Sequence, residues 1–349
     1  MPEPSRVDPD RMRRVLLIRP RFIGDICLTL PVIDAVRAAC PQARIGYLLE
    51  RECAPLLEGD PRIDTLLVAA RRPTAGEWLR TAVDLRRFAP DLVLDLFCNP
   101  RTAQWTALSG ARERVGYAGK GLRSAVYTRR VRPRALSATE HHLASVTALG
   151  WPAPVTTPRL HVSVAARAAV DLPLRNLGVP AGARLVGIHP GARWPTRRWG
   201  IERFAELARR LVAAHDDVAV LVTAGPDAHE ENDARDLARL VPGGAGFAIT
   251  GWPLARFVAL QSRCAAFVAG DTGPVHTAVA SGCPTLGLFS RNRPAMFFPY
   301  PAHEGHRAHY ARVECSPCHR DECGDLRCLH RLDVDGAWRL LSAMLAGPR

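Results

Sequence analysis

An apolar run at 266–269 breaks into Gly270-Asp271-Thr272-Gly273, and Pro274 then opens a helical pattern that carries His276. Backbone N–H groups of Thr272 and Gly273 would stand at the positive end of that helix, Pro274 suits its first position, and Asp271 and His276 add polar side chains. This is the layout of an anion-binding turn whose natural occupant bears phosphate. Asp271 could equally serve only as a helix cap. A second carboxylate of interest, Asp25, follows Gly24 where a loop opens the first helix. The positive helix end favours an ionised carboxylate there, and capping is again the structural alternative.

Ten cysteines form a third chemical feature. Cys27, Cys40, Cys53, Cys98, Cys264 and Cys283 are scattered, mostly beside apolar residues, and read as small buried hydrophobes. Cys315, Cys318, Cys323 and Cys328 cluster, with His319 and His330 nearby. Four thiolates could hold zinc tetrahedrally, although the spacing is not the paired C-x2-C repeat of a zinc ribbon. An iron–sulfur cluster, or reduced or redox-labile thiols in an ordered loop, are the other readings.

These residues must be positioned by elements that the hydrophobic pattern outlines. β-type runs at 15–19, 45–49, 65–69 and 92–97 are separated by helical patterns after Gly24 and at 53–58, 76–88 and 101–108, with a further helix near 138–149. The alternation restarts with strands at 185–189, 218–223, 247–250, 266–269 and 285–289 and helices near 201–214, 229–240, 254–263 and 274–281. Such alternation predicts an α/β fold of parallel sheets with crossover helices. Pro-rich 151–159 and Pro/Gly-rich 172–182 bracket a domain boundary, giving domains 1–165 and 166–349. The second domain includes the cysteine-rich segment 315–328 and a closing helix at 334–345. His189-Pro190-Gly191-Ala192-Arg193, Ala224-Gly225-Pro226, Thr250-Gly251-Trp252 and the Asp-Thr-Gly turn each follow a strand of the second half. Ligands of doubly wound sheets gather at such strand ends, so the four loops predict one binding cleft and strengthen the phosphate reading.

The 349 residues suffice for two domains, each with its own core. Neither eighteen consecutive apolar residues nor a signal-peptide pattern is present, and a cytoplasmic protein is expected. The net charge is +13, and Lys120 is the only lysine. Between Arg101 and Arg134 nine basic residues face a single acid, Glu113, which calls for an anionic partner. The patch lacks interleaved aromatics and any nucleic-acid reader motif, so no nucleic-acid partner is expected. An anionic lipid or phosphorylated glycan at a membrane surface fits it as well or better.

Three motifs, in this order and spacing, resemble glycosyltransferase family 9, the ADP-heptose:lipopolysaccharide heptosyltransferases. They are Arg19-Pro20-Arg21-Phe22-Ile23-Gly24-Asp25-Ile26-Cys27-Leu28-Thr29-Leu30-Pro31, His189-Pro190-Gly191 with Trp194-Pro195-Thr196-Arg197-Arg198-Trp199, and Asp271-Thr272-Gly273 with His276. The resemblance covers nearly the whole chain. It implies a GT-B architecture, two Rossmann-like domains with the acceptor on the first, the nucleotide-sugar on the second, and an interdomain cleft. It also implies inverting, metal-independent transfer of heptose from ADP-heptose to the lipopolysaccharide inner core, with no cofactor and Asp25 as general base. Thr272 and Gly273 would hold the diphosphate. Arg197 falls where many members carry a phosphate-contacting lysine, and its planar fork would bind bidentately where an ammonium acts as a point charge; Arg198 could share that role. Asp271 matches a sugar-contacting aspartate, and Glu230 a carboxylate on the adenosine ribose, although a charged helix start would look alike. Trp252 lies where an apolar side chain covers adenine, with packing as its alternative. His276 would reach phosphate or hold the loop.

The acceptor, an anionic lipid-linked oligosaccharide, would meet the basic patch, with Arg21 and Lys120 the best candidates and peripheral contact with the cytoplasmic face of the inner membrane. A run like Cys315-Ser316-Pro317-Cys318-His319-Arg320 followed by Cys323 recurs in many members of the family, which need no metal for catalysis. A relative using another nucleotide-sugar or acceptor, and a catalytically silent nucleotide-sugar binder, are the competing readings.

Overall fold

A computed structural model describes residues 6–318 and 320–346. The chain divides into two compact units, Met1–His161 and Val162–Arg349. The first holds β1 (Arg14–Ile18), β2 (Arg44–Glu50), β3 (Thr65–Ala69), β4 (Leu92–Asp95), β5 (Glu113–Tyr117) and β6 (Arg129–Val131). The second holds β7 (Arg184–His189), β8 (Val218–Thr223), β9 (Gly246–Ile249), β10 (Ala266–Gly270), β11 (Thr285–Phe289) and β12 (Arg307–Tyr310). Their orders are β3-β2-β1-β4-β5-β6 and β12-β11-β10-β7-β8-β9, so both sheets follow the same dinucleotide-fold winding. Every pairing is parallel.

The central strands are continuous apolar runs because helices cover both faces. All six residues of β8, Val-Ala-Val-Leu-Val-Thr, are buried. The helix Ile201–Ala214 shows the complementary pattern, burying Phe204, Leu207, Ala208 and Leu211 on one stripe. Leu16, Ile18, Leu48, Leu85, Val93 and Trp105 centre one core. Val186, Ile188, Phe204, Leu207, Val220 and Leu286 belong to the other, closed by Ala337 and Leu341 of the helix Val334–Ala346. Helix starts are set by capping boxes, Thr74 with Glu77, Asn99 with Thr102 and Ser137 with Glu140.

Three strands escape the hydrophobic pattern: β5, β6 and β12. The last two form sheet edges and read Arg-Arg-Val and Arg-Ala-His-Tyr. The helical pattern at 53–58 is a 3-10 turn, Arg51–Leu56, with Pro55 inside it. Among the described residues no helix is long and apolar enough to cross a membrane.

Candidate functional site

The winding gives each sheet a switch point, where adjacent strands send the chain in opposite directions and leave a crevice at their carboxyl ends. In the second unit it lies between β7 and β10. β10 ends at Gly270, where a Cβ would stand 2.7 Å from the Arg197 carbonyl oxygen, so the absence of a side chain lets the loop carrying Arg197 lie against the strand. Arg197 then reaches the Asp-Thr-Gly turn: its Nη1 donates to the Asp271 carbonyl at 2.7 Å, and its Nε lies 3.7 Å from Asp271 Oδ2. Asn292, buried in the loop after β11, donates from Nδ2 to the same carboxylate oxygen at 2.5 Å. Asp271 is therefore no helix cap. The cap position of the helix Gly273–Ala280 belongs to Thr272, whose side chain makes no capping hydrogen bond. An uncapped helix start beside an arginine is suited to an anion.

Other expected donor residues divide. Glu230 lies in the first turn of the helix Ala228–Leu240, whose capping is done by Asp227 through its Oδ1. Glu230 Oε2 instead accepts from Gly225 N at 3.0 Å, and side chains at Gly191 or Gly225 would strike its carboxylate. It thus joins the loops after β7 and β8. His189 ends β7 with Nδ1 at 3.0 Å from Thr223 Oγ1, and burial pushes its imidazole down to about 4, leaving it neutral at physiological pH. His276 is buried one turn into its helix, with Nδ1 at 3.2 Å from the Tyr300 hydroxyl. Arg198 is exposed and donates to the Ala192 carbonyl at 2.8 Å, a different partner from that of Arg197. Trp252 follows edge strand β9, half-buried, with the Arg256 guanidinium 5.7 Å from its ring.

The cysteine-rich segment supports this site mechanically. Thr196 Oγ1 donates to the Arg320 and Asp321 carbonyls at 3.1 Å, and Arg291 pairs with Asp321 at 2.7 Å. Ser316 Oγ donates to the Arg291 carbonyl at 3.3 Å. These bonds tie Ser316, Arg320 and Asp321 to the loops that carry Arg197 and Asn292. Cys315 is exposed, Cys318 and Cys323 are half-buried, and Cys328 is buried; all are free thiols. No group of three or more His, Cys, Asp or Glu gathers as a metal-binding set among the described residues. His319 lies outside them.

In the first unit the switch point lies between β1 and β4. Asp25 sits in the first turn of the helix Ile23–Ala39, whose cap position is Phe22, so Asp25 is not the cap either. Its carboxylate pairs with Arg19 Nη2 at 2.6 Å. Arg19 directly follows β1, almost buried (7% exposed), donates from Nη1 to the Leu96 carbonyl at 2.9 Å and lies over the Phe97 ring at 4.7 Å. The loop that receives it is built on buried Asp95, whose Oδ1 accepts from Phe97 N and Cys98 N and whose Oδ2 accepts from the Tyr127 hydroxyl at 2.7 Å. Desolvation raises the Asp95 pKa. Arg21 lies 5.4 Å over the same Phe97 ring, and its Nε is buried with no hydrogen-bond partner among the described residues.

The basic patch is sorted by the fold. Arg101 pairs with buried Glu50, Arg129 with Glu113 at 3.0 Å, and Arg114 donates to the Val126 and Ala111 carbonyls, so these three serve the unit's own structure. Lys120, Arg123, Arg132 and Arg134 follow the carboxyl ends of β5 and β6. A cavity of about 570 Å³ after β2 and β3, lined by Arg51, Glu52, Ala70, Arg71, Arg72 and Glu77, adds cations that sequence reasoning missed. The Arg71-Arg72 doublet, one residue past the end of a strand, was the available signal.

Residues 78–327 match the profile of glycosyltransferase family 9 (heptosyltransferase). The chain belongs to glycosyltransferase family 9. Lipopolysaccharide heptosyltransferase 1 of Pseudomonas aeruginosa is 26% identical over 96% of this chain and 99% of its own. The structure of the Escherichia coli ADP-heptose lipopolysaccharide heptosyltransferase II superposes with a TM-score of 0.79 at 21% identity, covering 95% of this chain and 98% of that one. An Escherichia coli heptosyltransferase solved with ADP-2-deoxy-2-fluoro heptose covers 95% and 99%, at TM-score 0.67 and 18% identity. This family 9 glycosyltransferase accordingly has the two-domain GT-B fold.

Proposed function

We propose that this family 9 glycosyltransferase moves heptose from ADP-heptose to the inner core of lipopolysaccharide with inversion at the anomeric carbon. The observation that carries this reading is Asp25, a carboxylate at the strand-end crevice of the first unit, oriented by Arg19 rather than spent on capping. The acceptor hydroxyl gives its proton to Asp25 as its oxygen bonds the anomeric carbon, and the bond from that carbon to the diphosphate breaks with its electron pair leaving on ADP. Negative charge grows on the diphosphate, and Arg197 with the backbone N–H groups of Thr272 and Gly273 lowers the barrier by meeting it. Asp271 takes the sugar hydroxyls, Glu230 the ribose and Trp252 the adenine face. No metal is required in this scheme. Arg21, Lys120 and the Arg71-Arg72 cavity hold the anionic groups of the lipid-linked acceptor at the cytoplasmic face of the inner membrane, which the enzyme contacts peripherally.

Support for the donor comes from the uncapped, arginine-flanked turn at 271–273 and from the nucleotide-sugars named for the structural relatives. Asp25→Asn should abolish transfer while ADP-heptose affinity, read by calorimetric titration, stays at the wild-type value. Transfer near the wild-type rate would overturn the mechanism. Titration with ADP-, GDP- and UDP-sugars side by side tests the donor, and tighter binding of a GDP- or UDP-sugar would reassign it.

A further inference from the structure

Three large apolar side chains of the first unit stand exposed in segments that follow the carboxyl ends of its strands. Phe22 (42% exposed) follows β1, Leu122 (96%) lies in the turn Gly121–Val126 after β5, and Leu136 (81%) follows β6. β5 and β6 run parallel as neighbours, and Ala118 N donates to the Val131 carbonyl at 2.8 Å, so their two departing segments start side by side. A single exposed leucine needs no explanation. These two, however, are set among cations: Lys120 and Arg123 flank Leu122, and Arg132 and Arg134 precede Leu136. Segment 118–137 contains no acidic residue.

Positive charge alone would suit any polyanion. Leucine tips gain nothing from a phosphate backbone or a soluble sugar phosphate, but they do gain from a surface with hydrocarbon beneath its charge. We propose that the Gly119–Leu136 edge docks the first unit on an anionic lipid bilayer, Leu122 and Leu136 entering the headgroup layer while Arg132 and Arg134 meet lipid phosphates. The proposal rests on the reading of a lipid-linked acceptor and deepens it. Arg21 and Asp25 follow the same end of the same sheet, so docking by this edge brings the bilayer to the side where the acceptor is needed.

The test is sedimentation of the full chain with vesicles of phosphatidylcholine containing phosphatidylglycerol, and with vesicles of phosphatidylcholine alone. Wild type should bind the first and not the second, and the Leu122→Ser/Leu136→Ser double variant should lose roughly tenfold or more in vesicle affinity. Both side chains are exposed, so the variant should melt like wild type and transfer heptose to a lipid-free core oligosaccharide at the wild-type rate, while slowing on acceptor embedded in vesicles. Wild type left in the supernatant with both vesicles overturns the proposal, as does a double variant that binds unchanged. Self-association seen by light scattering and lost in the double variant would make a second copy the occupant and overturn it too. Vesicle binding without transfer to any acceptor would sink the functional reading and leave the docking edge standing.

Discussion

At the residue scale, Asp25 and Arg19 form the pair on which the proposed mechanism turns. Asp25 is half-exposed, as the proposed base must be to meet an acceptor hydroxyl, while Arg19 is nearly buried and fixed by the Leu96 carbonyl and the Phe97 ring. In that proposal Arg19 acts through Asp25, as a positioning residue. A hydrogen bond to a charged group is worth ~2 kcal/mol, so Arg19→Gln should lower kcat roughly tenfold to thirtyfold. Affinity for the nucleotide-sugar, measured by titration, should not change, because Arg19 belongs to the first unit; equal losses in both would mean a general structural role. Asp25 was legible in the sequence from its place after Gly24. Arg19 stood in the same motif, yet its function depends on Leu96 and Phe97, far along the chain. Asn292 was missed for the same reason, since its bond to Asp271 crosses from the loop after β11 to the loop after β10.

At the scale of elements, the donor turn depends on strand β10 ending without a side chain. Gly270→Ala would set a Cβ against the Arg197 carbonyl and push that loop outward, separating Arg197 from Asp271. The expected result is about tenfold weaker binding of ADP, equivalent to ~1.4 kcal/mol, in calorimetric titration. Gly76→Ala, where nothing lies within 4 Å of the added atom, is the control. Undiminished ADP affinity in the Gly270 variant would detach Arg197 from the donor site. Strands with buried apolar runs were readable because covered parallel strands must be apolar along their length. β6 and β12 were not, because an edge strand is paired on one side only and its Arg-Arg-Val or Arg-Ala-His-Tyr need not be apolar. The nine-cation patch changed meaning accordingly: Arg129 and Arg130 lie in a strand, and Arg101, Arg114 and Arg129 are occupied by their own unit.

At the scale of the whole molecule, the two units repeat one winding around separate cores. All the residues of the proposed donor site lie in Val162–Arg349, and Asp25 lies in Met1–His161. The fragment 162–349 should therefore melt cooperatively and bind ADP within about threefold of the full chain, which is ~0.6 kcal/mol, yet transfer no sugar. A fragment that folds but binds no ADP would show that the donor site needs the first unit. The sequence by itself determined the fold class, the alternation that builds both sheets, and the loops that end their strands, because hydrophobic period and Gly/Pro punctuation are local properties of the chain. It also determined the family, through motifs of fixed order. Only the tertiary structure decided that Asp25 and Asp271 are not caps, which arginines are occupied by their own unit, and that Ser316, Arg320 and Asp321 brace the loops that carry Arg197 and Asn292. Each of those depends on atoms brought within hydrogen-bond distance by strand order, and strand order is written in no single segment.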